Sequence, residues 1–561
     1  MNKEDSLRQP NQPLDFWLYA GLLAVLLAST WVREITRPFY GLHAWAQASG
    51  AWAARSHAKY GLAYTKGMTT WAVGDPPPKN PARYMDHPQL NCLIAAAFMA
   101  ILGINEWATR VPGIVVSLAT FLLFLKILRG LLDDRTTLLA GLLYALFPLT
   151  AYFGFGGWGT LFSFSALWCY LVLTGSVSPP LRPSFIHKFV LAASLFMSLQ
   201  FGWEGFFYAF AIGLHYVCRC IRRKQMPDKA LLAILVIAPL SSLALNFVIM
   251  AGGYDWDVRK IVELYKWRAG KGEMEQIMEK FDWNAWLAKF WEHALTNFTL
   301  PVLITAIGYL TFGQLLIFTQ PKPGRKEARR PQQFPQFWLF LITPMSQLLI
   351  LKSCLWRHQT WELPFGPLIA ISVALAIMLL ADILAKIRRR LATACIVAFT
   401  TVLFISCAMG TNYYYAVRWQ PEAKVEMLKM LNSMIPPDKA LLSYEDFIVN
   451  QHSSKGSFYR PEIAWYLDRE ITPARTFEEV QRYAATGRYP YYLVCYPRYF
   501  FSAAEKEHIL TLISQLEKQY NCQTVSGGPG AKTEDNKFLR VSMNPYFIFD
   551  LHSQPKPAST R

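Results

Sequence analysis

Acidic side chains are scarce in this 561-residue chain: 38 Asp and Glu stand against 56 Lys and Arg, and the four types together make only 17% of it. So little charge cannot coat a soluble surface of this size, which excludes an ordinary soluble globular protein. Cysteine is sparse and scattered. Cys92, Cys169, Cys218, Cys220, Cys354, Cys395 and Cys407 sit in or near apolar segments, as small core residues do. Cys218 and Cys220 lack the further ligands of a metal site, and no other His, Cys or acidic set has ligand spacing, so neither a metal nor a cofactor is expected. Asp255 and Asp257 in "YDWDVRK" are spaced as a cation-binding pair, but they suit a helix entry equally well. Only Cys495 and Cys522 share the hydrophilic tail, where a disulfide between them is one reading. There is no repeat, no low-complexity tract and no nucleic-acid-reading motif. The first apolar segment has no small-residue cleavage site, so no cleavable signal is expected.

What the sequence does have is apolar length: 53% of it is hydrophobic and 15% aromatic. A membrane-spanning helix needs about 20 apolar residues. Stretches of about that length lie at 14–33, 111–128, 136–153, 160–178, 187–202, 204–219, 229–250, 298–319, 335–352, 364–385 and 391–410, giving about 11 spans, two of them short. The apolar stretch 89–103, "QLNCLIAAAFMAILG", is nearer the length of an interfacial helix and reads as non-spanning.

Basic residues test this topology, because Lys and Arg in short loops mark the cytoplasmic side. With a cytoplasmic N-terminus, the segments 1–13, 126–135, 179–188, 218–229, 320–334 and 386–390 lie inside and hold 21 Lys and Arg. The external stretches 104–110 and 353–363 hold one each. Counting 89–103 as a crossing would put "RCIRRK", "GRKEARR" and "KIRRR" outside, against the rule.

The expected organisation is a membrane domain, 1–410, with external loops 34–110 and 251–297, followed by an external soluble domain, 411–561. In the tail, helical patterns at 422–434, 476–486 and 503–520 alternate with strand-like runs at 438–444, 490–496 and 536–543, an α/β pattern. The second loop sets aromatics between charges at helical spacing, as an interfacial helix pair would. Its Lys260, Lys266 and Arg268 read as a solvated or headgroup-facing charged face.

Three motifs follow one another early in the chain: "HAWAQAS" (43–49), "DHPQL" (86–90) and "LGINEWATR" (102–110). In order and spacing they resemble the GT-C superfamily of polyprenyl-phosphate-sugar-dependent glycosyltransferases, particularly bacterial relatives of protein O-mannosyltransferase and of the lipid A aminoarabinose transferase. That resemblance implies a multi-pass protein of the bacterial inner membrane with an extracytoplasmic C-terminal domain. The implied activity moves a sugar from a polyprenyl-phosphate donor to an extracytoplasmic lipid, glycan or protein acceptor, with inversion. The carrier lipid phosphate leaves as a stable anion, so a carboxylate to deprotonate the acceptor and cations to hold phosphate would suffice.

The chain departs from the family where its acids are expected. The motif's Arg and final Asp are Ala46 and Ser49 here, and "YFGFGGWGT" (152–160), after the third span, has no acid where aminoarabinose-type relatives carry one. Asp86, Glu204 and Glu34 are therefore the candidate catalytic bases. Asp86 is equally placed to cap helix 89–103, Glu204 to sit at a helix start, and Glu34, beside Arg33, to be an interfacial charge. His43, Trp45, Gln47, Arg55, His87, Arg357 and His358 are the candidate substrate-binding residues. Against this, His43 and Trp45, and likewise "CLWRHQTWE" (354–362), suit an aromatic interfacial belt, and Arg55 suits ordinary headgroup contact. The missing acids also keep open a catalytically degenerate protein on this scaffold, acting as a glycolipid-binding or assembly subunit. A transporter is disfavoured, since neither inverted repeats nor charged mid-span residues are evident.

Overall fold

The computed structural model describes residues 15–33, 35–39, 44–83, 87–154, 157–177, 179–268, 282–313, 337–351, 358–416, 422–444, 461–495, 503–525 and 546–552. The chain forms two compact units: 1–35, 86–88 and 110–414 make the first, and 36–85, 89–109 and 415–561 the second. The stretch 34–110, read from sequence as a loop of the membrane domain, thus supplies most of its residues to the same unit as the tail.

The first unit is helical. Among the described residues, four helical stretches are long and apolar enough to cross a bilayer: Glu106–Leu131, Lys229–Gly253, Phe365–Ile387 and Arg390–Tyr415. Shorter apolar helices, Phe16–Val32, Trp158–Leu173, Phe185–Phe201 and Phe337–Ile350, fall in other expected spans. Three expected spans differ. The stretch 136–153 is split into Asp134–Leu146 and Pro148–Phe153, because Pro148 has no N–H to continue the ladder and holds Phe147 extended. The stretch 298–319 begins at a break: Trp283–Phe298 and Leu300–Gly313 meet at 106°, with Thr299 in the left-handed region at φ 68°. The helix Glu204–Arg223 carries Glu204, His215, Arg219, Arg222 and Arg223 and is not among the apolar helices.

The core of this unit is aromatic. Phe124 packs on Tyr144 (5.1 Å) and Phe164 (5.9 Å), and Phe164 meets Tyr208 edge-on at 5.8 Å. The lipid-facing side follows from the same side chains: the apolar faces of Lys229–Gly253 and Arg390–Tyr415 are mostly uncovered by protein, the arrangement expected where lipid replaces a partner helix.

In the second unit, the stretch 89–103 forms the helix Leu90–Leu102, only 13 residues long. Strands β1 (Thr70–Trp71) and β2 (Ala82–Arg83) form a small antiparallel pair. The tail builds a five-stranded sheet from β3 (Leu441–Ser443), β4 (Ile471–Pro473), β5 (Tyr491–Cys495), β6 (Asn521–Val525) and β7 (Tyr546–Asp550), in the order β4-β3-β5-β7-β6. The first three strands in that order are parallel, while β7 pairs antiparallel with both β5 and β6. Helices Glu422–Met434, Phe477–Ala484 and Ala503–Gln519 lie where the periodicity expects them. The expected strand at 536–543 lies outside the described residues; β4, β6 and β7 were not anticipated because β4 is three residues long, β6 is polar, and β7, "YFIFD", is an apolar run without alternation.

The register also corrects the disulfide. Cys522 is a free thiol, opposite Phe549 on β7, and Cys495 is on β5, on the far side of β7. Two strand spacings separate them by about 10 Å, beyond the Cα separation a disulfide spans.

Candidate functional site

Glu204 begins its helix after a two-residue break, and three contacts fix that break. The last turn of Phe185–Phe201 has carbonyls without helical partners; Asn246 Nδ2 donates to one of them, Leu199 O, at 3.0 Å. Gln200 Nε2 donates to Ser242 Oγ at 2.7 Å. Phe201 stacks between Trp158 (5.5 Å) and Phe162 (5.4 Å). That stack sets the start of Trp158–Leu173 against the turn that carries Glu204.

Gly159 and Gly202 make room for the carboxylate. A methyl group added at Gly159 would stand 2.6 Å from Glu204 Oε1, and one at Gly202 would collide with the same carboxylate. The carboxylate also lies at a helix N-terminus, whose dipole and free N–H groups favour a negative charge. "YFGFGGWGT" has no acid of its own, but the fold brings one to it from 45 residues further along the chain.

His87 belongs to the same unit and is coupled electrostatically to Glu204. Its side chain is exposed to solvent, yet protein atoms surround it. Those surroundings lower its pKa, and the Glu204 charge acts in the opposite direction. The imidazole is therefore neutral near pH 7 and able to exchange a proton.

A second polar cluster of this unit was missed from the sequence. Glu362 is fully buried, in the short helix Gln359–Glu362 that His358 precedes. Its Oε2 accepts from Asn297 Nδ2 at 2.7 Å, and that Nδ2 also donates to Gln359 O at 3.1 Å. Asn297 Oδ1 accepts from the Tyr414 hydroxyl, and the Tyr414 ring stacks on Tyr152 at 5.4 Å. The only sequence signal was the acid closing "CLWRHQTWE".

The other expected site residues fall elsewhere. Glu34, His43, Asp86 and Arg357 lie outside the described residues. Trp45 and Gln47 are half-buried on helix Ala44–Thr65 of the second unit, and both have partners. Arg55, on the same helix, is only 3% exposed. Its Nη1 donates to Trp465 O (2.6 Å) and its Nη2 to Ala464 O (3.0 Å), while Nη2 stands 3.3 Å from Asp468. The guanidinium also lies over the Trp465 ring. Both Nη groups of Arg55, expected as a phosphate-binding candidate, are thus committed to the end of helix Pro461–Leu467, where they act as a structural clamp. Asp257 pairs with Arg259 at 3.0 Å.

Part of the "LGINEWATR" motif also has a packing role. Asn105 Oδ1 caps its helix by accepting from Ala108 N at 2.8 Å, and Glu106 Oε1 accepts from the Tyr466 hydroxyl at 2.9 Å. In the first unit, Arg110 Nη1 donates to Ile35 O at 3.1 Å.

Residues 86–243, which include His87, Gly159, Gly202 and Glu204, match the family described as dolichyl-phosphate-mannose-protein mannosyltransferase. The fold is similar to that of ArnT from Cupriavidus metallidurans bound to undecaprenyl phosphate (TM-score 0.54, 11% identity, covering 96% of this chain and 99% of that one). It is similar too to that of the archaeal oligosaccharyltransferase AglB from Archaeoglobus fulgidus, in complex with an inhibitory peptide and a dolichol-phosphate (TM-score 0.54, 10% identity, covering 94% and 77%). Comparison of the sequence with curated proteins gives no significant match.

Proposed function

We propose that this chain, a multi-pass membrane protein with the scaffold of the GT-C superfamily of glycosyltransferases, transfers a sugar from a polyprenyl-phosphate donor to a hydroxyl of an extracytoplasmic lipid, glycan or protein acceptor. The observation that carries this reading is the Glu204 carboxylate seated against Gly159 and Gly202, with His87 within reach of its charge, all in the segment that matches the mannosyltransferase family.

In this reading Glu204 takes the proton from the acceptor hydroxyl as its oxygen attacks the anomeric carbon. The bond from that carbon to the phosphate oxygen breaks, and the polyprenyl phosphate departs with the electron pair. A single displacement inverts the anomeric centre. His87, neutral and coupled to Glu204, receives or shares the proton so that the carboxylate is restored. The half-buried rings of Trp158 and Trp203 suit a sugar face or an isoprenoid chain. Placement in a bacterial inner membrane, with residues 415–561 and the base on the non-cytoplasmic side, belongs to the same proposal and rests on the distribution of Lys and Arg.

The test is sugar transfer by purified protein in lipid vesicles supplied with polyprenyl-phosphate sugars and envelope extract. Loss of transfer in Glu204→Gln, with folding intact, supports the reading. Full transfer by that variant sinks it and favours a glycolipid-binding subunit without catalysis.

A further inference from the structure

Glu362 is the one fully buried acid among the described residues of the membrane unit, and one of its oxygens, Oε1, has no hydrogen-bond partner there. No ion pair to it is found among the described residues. Burial pushes its carboxyl well above the usual carboxylate range, and the bond from Asn297 only partly opposes this. Its surroundings therefore favour the uncharged form, and it holds its neighbours by hydrogen bonding.

Those neighbours run in one direction. Asn297, held by Glu362 and by Gln359 O, accepts from Tyr414. Tyr414 is sandwiched by the pair that begins "YFGFGGWGT": Tyr152 stacks on its ring at 5.4 Å and 21°, and Phe153 meets it edge-on at 5.5 Å. Five residues after Phe153 comes Trp158, stacked on Phe201, and then Gly159 against the Glu204 carboxylate. Tyr152 and Phe153 are thus held by Tyr414, and Trp158, next to Gly159, by Phe201. We propose that Glu362 is a positioning residue that, through Asn297 and Tyr414, holds Tyr152 and Phe153 and so helps to keep Gly159 in place against Glu204.

Its effect on rate rests on the transfer reading above; its effect on the placement of Gly159 does not. Two readouts on the full-length protein keep these apart: the kcat and KM of sugar transfer, and hydrogen exchange of the peptide that contains Gly159. Glu362→Gln keeps an uncharged group of the same shape and leaves both near wild type. Glu362→Leu, and Tyr414→Phe, which removes a single oxygen, speed exchange in that peptide. They also lower kcat by about ten-fold or more, with KM within about two-fold, as small misplacements of a reacting group do. Wild-type exchange and kcat in Tyr414→Phe, or equal damage from Glu362→Gln and Glu362→Leu, overturns the proposal. If Glu204→Gln transfers normally while the exchange pattern is as expected, the positioning holds and the catalytic reading falls.

Discussion

Gly159 and Glu204, 45 residues apart in sequence, share one space: the hydrogen of the glycine stands where a side chain would push the carboxylate away. A methyl group at 159 needs only the carboxylate to move, since the atom it meets is the end of a flexible side chain. On the proposed function, Gly159→Ala should therefore fold normally and lose transfer by about 10- to 100-fold, the cost of displacing the proposed general base. Glu204→Gln should cost more, on the order of 10² to 10⁴. Transfer assays on both variants, at equal amounts of folded protein, check the order.

Arg55 offers a contrasting outcome, because its guanidinium ties together parts of the fold. Removing it strips the carbonyls of Ala464 and Trp465 of their donors and leaves Asp468 with Lys59 as its cation. Arg55→Ala should destabilise the second unit by about 2–4 kcal/mol, the range for breaking a buried charged network. Thermal unfolding of the variant measures this, and an unchanged midpoint would refute the clamp.

His57 sets a pH limit on the same unit. It is 4% exposed, its Nδ1 is bonded to Thr65 at 2.8 Å, and burial lowers its pKa from 6.5 to about 4. The folded state thus holds a neutral ring where the unfolded chain takes a proton. The stability is complete above pH 6.5 and declines as pH falls towards 4, by on the order of 3 kcal/mol in all. Unfolding midpoints between pH 7 and 4 should show this decline, and His57→Gln should flatten it.

Topology can be tested at two exposed positions, Lys224 beside "RCIRRK" and Glu507 in the tail. In a cysteine-free background, a membrane-impermeant maleimide applied to right-side-out vesicles should label Glu507→Cys and spare Lys224→Cys until the membrane is opened. Equal labelling of both in sealed vesicles contradicts the proposed orientation.

Hydropathy and charge are summed over neighbours in the chain, so the sequence by itself determined the class of protein, most of the apolar helices, the shortness of 89–103, and the helices of the tail. It also made Glu204 a candidate, because an acid between two apolar runs is costly wherever it sits. The tertiary structure alone decided what that acid touches. Gly159 reads as a missing acid until the fold delivers Glu204 to it, and Arg55 reads as a phosphate ligand until the end of helix Pro461–Leu467 takes up its donors. Glu362 was invisible because its burial comes from Asn297 and Tyr414, 65 and 52 positions away in opposite directions. The physical reason is that desolvation and hydrogen bonding act through space, whereas periodicity and composition report only on what is adjacent along the chain.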